Sequence, residues 1–223
     1  LNPQHYFLCP IGDLLNKDLP DELYDLDILD GSPPCSTFSM AGSREKAWGK
    51  NKHFREGQAK QVLSDLFFDY LALVEKLKPR VAVAENVKGM LVGNAKGYTK
   101  EIIKRFQKIG YRVQVFLLNS ADCGVPQKRE RVFFCAIRKD LEAPMLKLKP
   151  NEKWINIEEA LSDIKLTSLE KKECSINTEF HNTWWPLTRP GESYSKAVER
   201  MGLPSKYWNW VKFHPKNPAS TLT

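Results

Sequence analysis

With 223 residues, 42% of them hydrophobic and 27% charged, the chain has the size and make-up of an ordinary globular protein: one sizeable domain, or one with a small companion. That excludes collagen-like, mucin-like and wholly disordered chains. No apolar run approaches the roughly 18 residues of a membrane span, and the N-terminus lacks the pattern of a secretion signal, so no membrane partner is expected. The formal net charge is +7 and unevenly spread: residues 1–30 hold one lysine against seven acidic residues, whereas residues 43–60 hold Arg44, Lys46, Lys50, Lys52, Arg55 and Lys60 against Glu45 and Glu56. Such a basic stretch suits either a solvated loop or a loop contacting phosphates, and it permits a nucleic-acid partner without requiring one.

In chain order, residues 26–29 form a short apolar run that stops at Gly31-Ser32-Pro33-Pro34, which predicts a buried strand ending in a turn. From 56 to 78, Val62, Leu63, Leu66, Phe67, Tyr70, Leu71, Val74 and Leu77 recur at helical spacing, and Pro79 stops the helix. Residues 80–84 read as a second strand, interrupted by Glu85-Asn86. A helix over 98–108 ends at Gly110, a suitable C-cap, and strands follow at 111–118 and 131–137. Short strands separated by helices predict an α/β fold, a doubly wound and mostly parallel sheet. After Asp140 the pattern changes. Residues 157–164 suit a short helix, and beyond them Trp184, Trp185, Trp208 and Trp210 stand among five prolines without clear periodicity. Residues 1–145 are expected to form the main domain and residues 150–216 a smaller irregular module, its aromatics serving as a modest core or as stacking platforms.

In an open α/β sheet, ligands bind beyond the carboxyl ends of the strands. Three features fall there. Pro33-Pro34-Cys35-Ser36 follows the first strand; its cysteine is either a small buried residue or, beside a rigid turn and a basic loop, a nucleophile. Glu85-Asn86-Val87 closes the second strand; its acid either faces solvent or sits in a pocket where it could donate a proton near neutrality. Gln127-Lys128-Arg129-Glu130-Arg131 opens the last strand. Alternation would place Gln127, Arg129 and Arg131 on one side, to hold a carboxylate, phosphate or polar base edge; an exposed salt-bridge ladder is the alternative. The cysteines at 9, 35, 123, 135 and 174 are odd in number and contain no CxxC pair, and His5, His53, His181 and His214 show no ligand spacing. No metal site and no disulfide framework are expected, and a reducing cytoplasm is.

Taken together and in this order, the three patterns resemble those of the cytosine-5 DNA methyltransferases. Pro34-Cys35 matches the nucleophile motif of that family, Glu85-Asn86-Val87 its ENV motif, and Gln127, Arg129 and Arg131 its QxRxR motif. Phe38-Ser39, the run Leu66-Phe67-Phe68-Asp69 and residues 119–126 extend the similarity, which runs from about Gly12 to Lys139 and more loosely through 154–163 and 217–223.

The resemblance implies a partial catalytic methyltransferase domain over 1–145, a target-recognition region over 150–216, and at 217–223 the start of a return to the catalytic domain. It implies that a Cys35 thiolate adds to carbon 6 of a cytosine flipped out of double-stranded DNA. Glu85 would bond ring nitrogen 3, Arg129 would stabilise the adduct, and Arg131 and Asn86 would support them. It further implies S-adenosyl-L-methionine as methyl donor, with S-adenosylhomocysteine as product, held by Asp13, Leu14, Pro34 and Leu66. The basic loop 40–60 would close on the DNA, with Ser39, Arg44 and Gln127 as contacts. A monomer in the cytoplasm of a prokaryote or phage host, serving a restriction–modification system, is the expected setting.

Two departures stand out. Ser36 follows the cysteine where many bacterial members have glutamine, and no GxG occurs for the glycine-rich donor loop of the family, so an internal fragment that binds the donor weakly or not at all is expected. A catalytically silent DNA-binding relative and a transfer-RNA methyltransferase are the alternatives. The Cys-Phe-Thr signature of the RNA branch does not occur after the QxRxR pattern.

Overall fold

The computed structural model describes residues 2–33, 51–52, 61–62, 66–93, 95–150, 153–204 and 210–221, with backbone alone at 51–52, 61–62 and 180. Contacts divide the chain into two units: residues 1–118 with 130–148, and residues 119–129 with 149–223.

The first unit is built on a four-stranded sheet in the order β1 (Ile28–Gly31), β4 (Val81–Val87), β6 (Glu130–Arg138) and β5 (Tyr111–Asn119). β1 runs parallel to β4, with Ile28 opposite Val81 and Gly31 opposite Ala84; β6 runs antiparallel to β4, with Glu85 opposite Phe133 and Val87 opposite Arg131. The sheet is therefore mixed, within the α/β class that the alternation of elements indicates. A two-stranded ribbon pairs β2 (Asn51–Lys52) with β3 (Gln61–Val62).

Side chains of β4 alternate, so Ala82, Ala84 and Asn86 point inward beside Val132, Phe134 and Ala136 of β6. Their small size lets helix α2 (Leu66–Leu77) lie close, burying Phe67, Tyr70, Leu71 and Val74 at helical spacing, and α3 (Ala95–Lys108) adds Ile102 and Phe106 to the same core. Tyr70 spans the parallel pair, its hydroxyl donating to Leu29 O at 3.0 Å and Val83 O at 2.9 Å. A smaller cluster of Leu19, Leu73 and Leu77 receives Ile11, Leu14 and Leu15 from helix α1 (Ile11–Leu15). No helix among the described residues is long and apolar enough to cross a membrane.

Several boundaries differ from the sequence reading. The helix expected over 56–78 occupies Leu66–Leu77, and Gln61–Val62 pair as strand instead; apolar spacing alone does not separate a helix from a short ribbon leading into it. The helix ends where expected: Lys78 adopts φ 49° and Pro79 follows. Strand β1 lies two residues later than expected: Leu26 O and Asp27 O already accept the Arg80 and Val81 N–H groups, but the paired register begins at Ile28 opposite Val81. β4 is not interrupted at Glu85-Asn86 but runs through both to Val87, because β6 continues pairing alongside. Backbone hydrogen bonds outweigh the polarity of two side chains.

In the second unit, four short helices each begin at a capping residue. Asn156 caps α4 (Ile157–Ala160), Thr167 forms a capping box with Glu170 on α5 (Ser168–Glu173), Thr178 caps α6 (Glu179–Trp184) and Ser193 caps α7 (Tyr194–Arg200). The helix expected over 157–164 is only one turn long. The aromatics here form a modest core: Tyr194 is buried and donates to or accepts from His181 Nδ1 at 2.7 Å, and the His181 ring stacks on Trp185. Trp185 and Trp210 keep 41% and 49% of their surface exposed, and Lys212 Nζ lies 4.6 Å over the Trp185 ring.

Candidate active site

Strand β4 supplies Glu85 and Asn86 on opposite faces of the sheet. Glu85 shares its face with Arg131, which stands diagonally across β6, and Arg131 Nε donates to Glu85 Oε1 at 2.8 Å. Both are half-buried, at 28% and 20% side-chain exposure, so solvent screens the pair less than it would a surface ion pair. The guanidinium fixes the direction of the carboxyl at the carboxyl end of β4.

Asn86 points the other way and is 4% exposed. Its Nδ2 donates to Pro33 O at 3.0 Å and its Oδ1 accepts the Val87 N–H at 2.8 Å, so the buried amide is used at both ends. Pro33 lies two residues before Cys35, and Gly31 pairs opposite Ala84, so the chain leading to the cysteine leaves the sheet beside Glu85. Close packing makes this approach possible: a Cβ on Gly31 would come within 2.7 Å of the Tyr70 ring. Pro34, Cys35, Ser39 and Arg44 lie outside the described residues, as does most of the basic stretch 43–60.

The QxRxR residues divide. Arg131 is in β6, but the strand begins at Glu130, so its alternation does not reach back to Gln127 and Arg129 as the sequence reading expects. Glu130 faces away and takes Lys88 at 2.9 Å. Gln127 and Arg129 belong to the second unit, where the loop 119–129 is fastened from within. Asn119 Oδ1 accepts the N–H groups of Ala121 and Arg129, each at 3.2 Å, Ser120 Oγ donates to Gln127 O at 2.5 Å, and Ser120 N donates to Arg129 O at 3.0 Å. Gln127 bridges Ala219, Lys128 N donates to Ala219 O at 2.7 Å, and Thr221 Oγ1 donates to Lys128 O at 2.8 Å. The Arg129 guanidinium is half-buried and makes no hydrogen bond or ion pair with a described residue.

Sequence reasoning about side-chain roles passed over Asn119, Ser120 and Lys88. An asparagine immediately before a turn is the signal that marks Asn119, since its carboxamide imitates a backbone acceptor.

The residues implied for the methyl donor come from α1 and α2. Asp13 is exposed in α1, while the Leu14 side chain packs with Leu73 and Leu77. Leu66 opens α2 and is largely buried. A Cβ on Gly12 would lie 3.8 Å from Asp69 Oδ2, so the start of α1 abuts the first turn of α2. An open carboxylate beside an apolar helix start fits an adenine, which offers an amino donor and a flat apolar face. No group of three or more His, Cys, Asp and Glu side chains that could hold a metal ion occurs among the described residues.

Comparison with known proteins bears on the same residues. A family model described as C-5 cytosine-specific DNA methylase matches residues 9–217. The chain is 36% identical over 155 residues to the type II methyltransferase M.DdeI of Desulfomicrobium norvegicum, an alignment covering 66% of the chain and 34% of that protein. It is 33% identical over 199 residues to the orphan methyltransferase M.SPBetaI of Bacillus phage SPbeta, covering 79% of the chain and 42% of that protein. The chain thus spans only a third to two fifths of these relatives. A crystal structure described as a DNA modification methyltransferase encoded within an E. coli prophage superposes with a TM-score of 0.62 at 16% identity, covering 95% of this chain and 65% of that one. This likeness is one of fold. With the ENV residues on one strand, an arginine of the QxRxR pattern bound to the ENV glutamate, and a family match over nearly the whole length, the chain belongs to the C-5 cytosine-specific DNA methylases.

Proposed function

We propose that the protein methylates carbon 5 of cytosine in double-stranded DNA through a covalent adduct with Cys35, in the cytoplasm of a bacterium or a phage-infected host. The observations that support this reading are the Glu85–Arg131 pair at the end of β4 and the Asn86–Pro33 bond, which holds the chain two residues before Cys35.

Carbon 5 of cytosine is a poor nucleophile, and the ring needs an electron pair from elsewhere. The Cys35 thiolate adds to carbon 6, forming an S–C bond and making carbon 5 enamine-like. Glu85, aimed by Arg131, hydrogen-bonds ring nitrogen 3 and shares the proton that this nitrogen gains as the ring becomes saturated. Arg129, whose guanidinium is not engaged by any described residue, stabilises the adduct. S-adenosylmethionine, when bound, supplies an electrophilic methyl group, with S-adenosylhomocysteine left as product. A water molecule then takes the carbon-5 proton, the C–H electron pair re-forms the 5,6 double bond, and the Cys35–carbon 6 bond breaks with its electrons on sulfur, restoring the thiolate and the aromatic ring. A stacked base is out of reach of these groups, so the cytosine is extruded from the duplex.

Asp13, Leu14, Pro34 and Leu66 would hold the donor. Ser39, Arg44 and Gln127 would contact DNA, and residues 150–216 would choose the target sequence, with the protein acting as a monomer. Bisulfite sequencing of DNA from cells producing the intact protein tests the reading. Protected cytosines in one sequence context are expected, absent when Cys35→Ser replaces the wild type. Unprotected DNA with active donor-dependent labelling of transfer RNA would move the substrate to RNA, and no transfer to either would remove the enzymatic reading.

A further inference from the structure

Helix α1 is five residues long, too short to be held by its own hydrogen bonds, and no side chain caps its N-terminus at Pro10. Its other end is held from a distance. Lys76, on the last turn of α2, directs its ammonium at the carbonyl oxygens of Leu14 at 2.9 Å, Leu15 at 3.1 Å and Lys17 at 2.5 Å. Three donors meet three carbonyls, and the first two belong to the last turn of α1, where helix geometry leaves acceptors without partners. A cation placed there also opposes the partial negative charge of the helix end.

The apolar contacts of α1 with Leu73 and Leu77 hold the two helices together but allow sliding, because burial is not directional. Lys76 removes that freedom. One side chain therefore sets the register between the two elements from which the donor-holding residues come: Asp13 in α1 and Leu66 at the head of α2.

We infer that Lys76 is a positioning residue for the methyl-donor pocket, fixing α1 against α2 so that the Asp13 carboxylate faces the adenine edge. This rests on the donor placement proposed above. A side chain that only braces the fold would change stability and all kinetic constants alike. A positioning residue changes the donor's KM selectively.

Steady-state methylation by the intact protein separates these. Lys76→Met keeps most of the length of the side chain and removes its donors. It is expected to raise the KM for S-adenosylmethionine about tenfold, with the KM for DNA and kcat at saturating donor within about twofold of wild type. Lys76→Arg, which keeps charge and donors, is expected to recover most of that loss. A donor KM unchanged in Lys76→Met, or a common loss in both KM values and kcat, would overturn the inference. Should Lys76→Met fail to fold, Lys76→Gln is read by the same criteria. Asp13→Ala serves as reference. If it raises the donor KM while Lys76→Met does not, only the role of Lys76 falls; if it leaves the donor KM unchanged, the donor placement falls and the inference with it.

Discussion

Among single residues, Asn86 and Glu85 show how one strand serves two purposes. They are neighbours in sequence and face opposite sides of β4, so the amide is buried while the carboxyl, proposed to meet the base, stays only partly covered on the other face. Asn86 can do its work only as a neutral amide, since it donates to Pro33 O and accepts from Val87 N at the same time. Asn86→Asp would set an acceptor against the Pro33 carbonyl in a buried position. The expected cost is about 2 kcal/mol in urea denaturation, accompanied by slower methylation, because the chain entering Cys35 loses its tether. Both residues stand out in the sequence as polar letters at the end of an apolar run. Their opposite orientation was legible from strand alternation, but only if the strand is known to continue through them, and the sequence reading stopped it at Ala84.

The elements explain why it continues. β4 is flanked by β1 as far as Ala84 and by β6 through to Val87, so β6 gives its backbone a partner along the whole strand whatever side chains it carries. Tyr70 ties β1 to β4, and the absence of a side chain at Gly31 lets an edge of its ring come close to the strand end. Gly31→Ala would place a methyl group 2.7 Å from that ring, and either the ring or β1 must shift. A loss of about 1–3 kcal/mol is expected. Thermal melting would register it, and methylation should fall by more than the melting temperature predicts, since β1 ends four residues before Cys35, the proposed nucleophile. In the second unit the sequence reading anticipated only the first helix and, for lack of apolar periodicity, not the other three, yet each of the four starts at a residue of the capping class: Asn156, Thr167, Thr178 and Ser193. Short helices with few buried positions announce themselves by their caps rather than by their stripes.

For the whole molecule, the first unit contains two buried phenols that make its stability depend on alkaline pH. Burial pushes Tyr111 up from 10.0 to about 12, and its hydroxyl donates to Pro79 O at 2.7 Å, where α2 turns into β4. Burial raises Tyr70 still further. A folded pKa above the unfolded value means the native state holds its proton longer. The stability from Tyr111 is therefore fully present below pH 10 and is lost as pH rises toward about 12. Unfolding followed by circular dichroism against pH is expected to coincide with the appearance of tyrosinate absorbance from these two residues. Tyr111→Phe, which has no proton to lose, should shift the transition to higher pH. Tyrosinate absorbance appearing from Tyr111 well before the fold is lost would contradict this.

Composition, the alternation of short strands with helices, and three polar patterns at strand ends were enough to read the α/β class and the family from the amino-acid order, because each depends on local spacing or on residue identity alone. What the order of residues could not decide is which side chains meet. The Glu85–Arg131 pair spans two strands 46 positions apart in the chain, and the Lys76 clamp on α1 and the Asn119 hold on Arg129 depend on how helices and turns come to rest. Such contacts belong to packing, in which the register of a sheet and the crossing of two helices place groups that no periodicity relates. Tertiary structure alone decided them.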